Sequence, residues 1–214
     1  MPLQIQAFEA GPVATYAYLA IDPETGSAVI IDAPRESAER IIAAAEAAGV
    51  TPGALILTHT HWDHTADAAD LKRRYPNMLI YAHAADEYRL NEPMKHTVWP
   101  LPFTIEGLES DRHLHHGDTF SLGGICFQVL HTPGHTEGGI CLYDKGHGSV
   151  FVGDTLFAGS VGRTDLPGGD WATLLRSITD HLLPLPDDTR VYPGHGPATT
   201  IGEERESNPF VGGA

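Results

Sequence analysis

His59, His61, Asp63 and His64 fall within six consecutive residues, His-Thr-His-Trp-Asp-His, and four strong metal-binding side chains at that spacing point to a metal site. Neutral imidazoles and a carboxylate, with no thiolate among them, suit zinc or iron(II) and leave positions open to water. Three later positions share this character: His135 after a Thr-Pro-Gly turn, Asp154 in Gly-Asp-Thr, and His195 in Pro-Gly-His-Gly-Pro. Each alone reads as a turn or cap residue. With the first cluster they make seven ligands, too many for one tetrahedral ion and suited to two ions sharing a carboxylate and a water.

Such side chains need rigid supports, and the pattern around each supplies a strand end. The apolar run 53–58 reads as a buried strand and 65–75 has helical spacing, so the first cluster lies on a strand-to-helix turn, where open α/β sheets place their ligands. Residues 125–130 lead to His135, 149–152 to Asp154, and 189–192 to His195. Upstream, 16–21 and 28–31 flank an Asp-Pro-Glu-Thr-Gly turn and form a hairpin, with Asp32 at its end as a candidate to orient a metal-ligating histidine or as a plain turn residue. Residues 36–48 form an amphipathic helix stopped by Gly49. Residues 78–82 are a strand, 84–90 a short helix, and 171–183 a helix. The proline-rich stretch 91–108 reads as a surface loop able to cover a site, and the strands 119–122 and 125–130 pair about Gly123-Gly124. His96, His113, His115 and His116 read singly as solvated or satisfied.

A chain of 214 residues can bury a sizeable core, and its composition is that of a globular protein with many tight loops. The formal net charge of −15 argues against a nucleic-acid partner, because such binding relies on Lys and Arg neutralising phosphates. Two divalent ions would reverse that field locally. Cys126 and Cys141 both sit in apolar strand-like runs and are expected to be buried as small apolar residues, with a disulfide still open. Neither an export signal nor a run of membrane-spanning length is legible, so a cytoplasmic protein without membrane contact is expected.

The ordered set His-x-His-x-Asp-His, Thr-Pro-Gly-His, Gly-Asp-Thr and Pro-Gly-His-Gly, running from residue 59 to 197, resembles the metallo-β-lactamase superfamily. The resemblance implies an α/β four-layer αβ/βα sandwich spanning 1–214 as one domain: two mixed β-sheets packed face to face, helices outside, metals at one edge. It also implies that His59, His61 and His135 hold one ion and Asp63, His64 and His195 a second, with Asp154 bridging. The superfamily's lactamases generally carry Cys where Asp154 stands, which points away from a β-lactamase. The words Gly153-Asp-Thr-Leu-Phe157, Gly159-Ser-Val-Gly-Arg-Thr-Asp165 and the closing Ser207-Asn-Pro-Phe210 look closest to short relatives of glyoxalase II, hydroxyacylglutathione hydrolase. The longer enzymes of that group add a helical carboxyl-terminal domain that grips glutathione; this chain stops soon after Phe210, so the thiol part of the substrate is expected to matter less.

The resemblance implies a binuclear thioester hydrolase using zinc, iron or manganese on a small-molecule thioester such as S-lactoylglutathione, as a monomer or small homo-oligomer. Two cations would make a bridging water acidic enough to act as hydroxide at neutral pH and would polarise the carbonyl, with Asp63 and Asp154 as the catalytic carboxylates. A thiol of pKa about 8.5 leaves without a dedicated acid. Arg163 is either the anchor for a substrate carboxylate or a structural ion pair with Asp165 or Asp170. The alternative is a persulfide dioxygenase of the same fold, with one iron on His59, His135 and Asp154.

Overall fold

Apolar residues on both faces of a strand require cover on both sides, and the central strands of this chain have that pattern. The computed structural model describes residues 2–213. Its first sheet runs in sequence order: β1 (Gln4–Ala10), β2 (Thr15–Ile21), β3 (Ser27–Ile31), β4 (Thr51–Ile56), β5 (Leu79–Ala82) and β6 (Arg112–His113). The β1–β2–β3 part is an antiparallel meander and β3 to β6 are parallel. The expected hairpin is thus the inner two-thirds of a three-stranded meander, since Gln4–Ala10 pairs along the whole of β2.

The second sheet begins with β7 (Thr119–Leu122), β8 (Ile125–His131), β9 (Ile140–Asp144) and β10 (Ser149–Gly153). After a small ribbon, β11 (Leu156–Phe157) and β12 (Ser160–Val161), it is completed by β13 (Arg190–Pro193) and β14 (Thr199–Thr200). The order is β14-β13-β10-β9-β8-β7, and only β10 and β13 run parallel.

Alternation assigns each strand's side chains to two different cores. Tyr18, Ile31, Ile56, Phe127 and Phe151 meet between the sheets. Leu19, Ile30 and Leu55 point the other way, onto α1 (Ala38–Ala48) and, after the one-turn α2 (Trp62–Thr65), onto α3 (Ala68–Arg74). The stretch between the sheets also forms α4 (Glu87–Asn91) and α5 (Pro93–His96). On the far side Val150, Val152 and Val191 pack against α6 (Trp171–Ser177), the π turn Ile178–Leu182 that continues it, and α7 (Ile201–Ser207). The layers are therefore helix, sheet, sheet, helix, the αβ/βα sandwich.

Several local expectations are corrected. The helix expected over 65–75 is α3, which starts later, at Ala68, and a separate one-turn helix, α2, precedes it: the Asp67 N–H donates to Ala33 O at 2.9 Å, and its carboxylate accepts from Ala38 N at 2.9 Å at the start of α1. A long-range partner for that N–H outcompetes the helical one. The proline-rich 91–108 contains α5. Cys141 is buried as expected, but Cys126 is exposed, because on β8 it occupies the outward side of the alternation; both thiols are free.

Candidate metal centre

Four strand ends of two different sheets converge at one edge of the sandwich. His59 and His61 lie on the loop after β4, Asp63 and His64 on α2, His135 on the loop after β8, Asp154 directly after β10 and His195 one glycine beyond β13. The parallel pairing of β10 with β13 sets Asp154 beside His195, whose Nε2 lies 3.4 Å from Asp154 Oδ2. Gly194 has no side chain because there is no room for one: a Cβ there would stand against Asp154 Oδ1 and 2.7 Å from His64 Cε1.

All seven side chains meet. The ligand atoms of His59, His61 and His135 form one group within 4.8 Å of one another, those of Asp63, His64 and His195 a second, and Asp154 joins His59 and His64 in a third. Individual separations are 2.9 Å for His61 Nδ1 and His135 Nε2, 3.2 Å for His195 Nε2 and Asp63 Oδ2, and 3.3 Å for His64 Nε2 and Asp154 Oδ1. Donors bonded at 2.0–2.1 Å around a tetrahedral ion are about 3.3 Å apart, so these spacings are of the size of coordination edges.

The outward sides of the rings are occupied. His64 Nδ1 lies 2.8 Å from Asp32 Oδ2, His135 Nδ1 2.7 Å from Arg163 O, and His195 Nδ1 3.1 Å from Val13 O. A carboxylate or carbonyl at Nδ1 fixes that nitrogen as the N–H and turns the Nε2 lone pair inward. Asp63 Oδ2 accepts from Thr15 Oγ1 at 2.9 Å. Inside, His59 Nε2 is buried with no hydrogen-bond partner, and His64 Nε2 and Asp154 Oδ1, equally buried, face each other at 3.3 Å without a geometric hydrogen bond. An unpaired buried polar atom costs about 1–3 kcal/mol, and three facing one another in one cluster fit a cation between them.

The electrostatics divide the cluster. Burial holds His59 well below the usual imidazole range, and burial together with His135 pushes His61 down to about 3, so both are neutral lone-pair donors at pH 7. Burial would also lower His64 and His195. For His64 it is overcome by Asp154, Asp32 and Asp63, which hold it well above its ordinary value. The hydrogen bonds of His195 to Asp154 and Asp63 raise it to about 10. Burial alone would raise Asp154 and Asp63, but His64 brings both below the usual carboxylate range.

A cleft of about 310 Å³ opens over the cluster, with Trp62, Tyr88, Val98, Trp99, Arg163 and Leu166 in its walls. Trp99 and Val98, from the proline-rich segment, are 45% and 47% exposed at its mouth. Arg163 stands in the wall, its guanidinium 5.3 Å over the Trp99 ring, but its Nε and Nη2 each donate to Asp165 at 2.7 Å. Asp170 is engaged elsewhere, accepting from Thr173 N at the start of α6. Sequence reasoning missed Thr15, the Val13 carbonyl and the Arg163 carbonyl. Nothing local marks Thr15, which opens β2 at 48 residues from Asp63.

Two packed sheets with a His-and-Asp cluster at their common edge define a class, the metal-dependent hydrolases of αβ/βα sandwich architecture. The chain belongs to the metallo-beta-lactamase superfamily, whose profile matches residues 10–195. It is similar to the hydroxyacylglutathione hydrolase GloC of Haemophilus influenzae, 40% identical over 187 residues that cover 86% of this chain and 87% of that protein. Among solved structures it is similar to the BLEG-1 B3 metallo-beta-lactamase (36% identity, TM-score 0.91, 98% of this chain and 100% of that one). It also resembles TTHA1623 in a di-iron-bound form (40% identity, TM-score 0.84, 96% and 99%). Among the described residues no helix is long and apolar enough to cross a membrane.

Proposed function

We infer that this protein is a binuclear metallohydrolase acting on a small-molecule thioester of the hydroxyacyl-glutathione kind. The observation that carries the reading is the pair of triads, His59/His61/His135 and Asp63/His64/His195, with Asp154 in reach of both. Asp154 Oδ1 lies 3.3 Å from His64 Nε2, and its Oδ2 lies 3.6 Å from His135 Nε2 and 3.4 Å from His195 Nε2. The triads would each hold one ion, zinc or iron with manganese as a further option, and Asp154 would bridge. The likeness to a di-iron protein supports the count, and the likeness to GloC supports the thioester. Bound there, the ions would supply an activated water and a Lewis acid for the carbonyl.

The protein's own groups do the rest. Asp63 and Asp154 are both ionised at neutral pH and face His195 Nε2 from two sides, so they would place negative charge beside a water held between the triads. Thr15 keeps Asp63 Oδ2 aimed there. Trp99, Val98 and Leu166 give the cleft an apolar wall against the organic part of the substrate. Arg163 is the cation placed to hold a substrate carboxylate, in exchange for Asp165. That pair is at least half-exposed on both sides, so solvent screens it and a substrate carboxylate can replace Asp165 at little cost. The thiolate leaves without an acid, in keeping with a cleft whose carboxylates are ionised.

Anaerobic cleavage of S-lactoylglutathione tests the reading. A β-lactam is run beside it, because BLEG-1 is a lactamase, and oxygen uptake with glutathione persulfide is measured on the same iron-loaded preparation. Thioester cleavage should dominate. Rapid oxygen uptake with negligible thioester cleavage would move the chemistry to a dioxygenase on His59, His135 and Asp154, and dominant lactam cleavage would make the protein a lactamase.

A further inference from the structure

A carboxylate outside the cluster binds both of the loops that carry His59, His61 and His135. Asp86, on the 3-10 turn Ala84–Asp86 after β5, is fully buried. Its Oδ2 accepts from Thr60 N at 3.2 Å and from Thr136 Oγ1 at 2.8 Å; its Oδ1 accepts from Gly138 N at 2.7 Å and from Arg89 Nη1 at 2.9 Å. Its main-chain carbonyl accepts from Thr60 Oγ1 at 2.8 Å. Thr60 stands between His59 and His61, and Thr136 directly follows His135. The two loops leave different sheets, from β4 and β8, and their meeting requires a group that can accept from both at once. An ionised carboxylate is the side chain with enough lone pairs to take four donors.

The seat is built for it. A Cβ on Gly138 would come within 2.6 Å of Asp86 Cγ and 2.8 Å of Asp86 N, so a side chain there is excluded by the carboxylate's position. Arg89, also buried, extends the network outward: its Nη2 donates to Glu137 Oε2 at 2.5 Å and to Pro167 O at 2.7 Å, and Pro167 lies in the cleft wall. None of these bonds reaches the other triad. Asp63, His64 and His195 lean instead on Thr15, Asp32 and the Val13 carbonyl.

We propose that Asp86 is the positioning residue for one metal site only, clamping the His59/His61 loop and the His135 loop into a single three-histidine triad while Arg89 ties that clamp to the substrate cleft. The proposal rests on the two-triad reading of the centre and adds a division of labour: Asp86 holds the loops of the three-histidine triad and bonds nothing in the other, whereas Asp32 reaches His64 and also Thr58 beside His59. Asn at position 86 would turn an amide N–H₂ toward donors that need an acceptor, and the two loops would lose their common anchor.

The experiment is competition between the full-length protein and a chromophoric zinc chelator, comparing wild type with Asp86→Asn, Thr136→Val and Thr15→Val. Supporting groups around metal-bound histidines contribute about 10–100-fold in affinity. Asp86→Asn is expected to weaken one zinc-binding event by that factor and leave the other within about threefold. Thr136→Val should weaken the same event more mildly, and Thr15→Val the other event. Thr136→Val removes a single hydroxyl and keeps the side chain's shape, so it serves if Asp86→Asn fails to fold. Equal weakening of both events by Asp86→Asn, no weakening by Asp86→Asn or Thr136→Val, or a wild type with a single event indifferent to Asp86→Asn and Thr136→Val would overturn the proposal. The readout is affinity alone, so a wild type that binds zinc as expected but cleaves no thioester would sink the functional reading and leave this one standing.

Discussion

At the scale of residues, Asp154 is the side chain in reach of both triads, and His64 serves one. Asp154→Ala is therefore expected to lower kcat about tenfold more than His64→Ala at saturating metal; equal losses in steady-state kinetics would argue against a shared carboxylate. Protonation gives a second expectation. In the metal-free protein His195 titrates at about 10 and His64 well above its ordinary value, so both carry a proton at pH 7 that an ion must displace. Calorimetric metal titrations in buffers of different ionisation enthalpy should report about two protons released per chain, with affinity rising as pH increases from 6 to 8. The folded-state value of His195 lies above its unfolded value of about 6.5. Its contribution to metal-free stability is accordingly complete below that pH and is lost as pH rises through about 10.

At the scale of elements, the segment after α4 does more than connect the sheets. Residues 91–108 read from sequence as a loop able to cover a site; they contain α5 and bring Val98 and Trp99 to the mouth of the cleft. Trp99 packs under the Arg163 guanidinium, so the two form one wall. A cation over an indole is worth about 0.5–1 kcal/mol at an exposed site, which predicts that Trp99→Ala raises KM a few-fold with kcat nearly unchanged. Arg163→Ala should raise KM further for a thioester bearing a carboxylate than for one without it. A fall in kcat with KM unmoved would place Trp99 and Arg163 in the chemistry rather than in binding. The break between α2 and α3 is equally an element-scale result: Asp67 leaves the helical register to bond Ala33 and Ala38, which locks the metal loop onto the start of α1.

At the scale of the whole molecule, the cluster sits where the two sheets share an edge, so it gathers ligands from both halves of the sandwich. Its buried His59 Nε2 has no partner, and His64 and Asp154 face only one another there, so cations that bind the cluster add stability to the fold. Chelation should lower the melting temperature by more than about 5 °C, and re-addition of zinc should restore it; an unchanged transition in calorimetry would show that the cluster closes on itself without an ion. The seven side chains, their order and their places at strand ends are legible in the chain before it folds, because strand period, Pro-Gly turns and the His-x-His-x-Asp-His spacing are all local signals. The layered sandwich was legible through the family resemblance that the ordered motifs carry, with strands and helices alternating in two halves in keeping with it. What steers each ligand is set by long-range contacts. Of the two readings the sequence left open for Asp32, the contact with His64 across 32 residues selects the orienting one; Thr15 reaches Asp63 across 48 and the Val13 carbonyl reaches His195 across 182, partners that the chain brings together only by folding. Likewise folding decided that the Arg163 fork is engaged by Asp165, and that Asp86 joins loops from opposite sheets. Hydrogen-bond partners of this kind have no period and no composition, and the packing of one sheet on the other selects them.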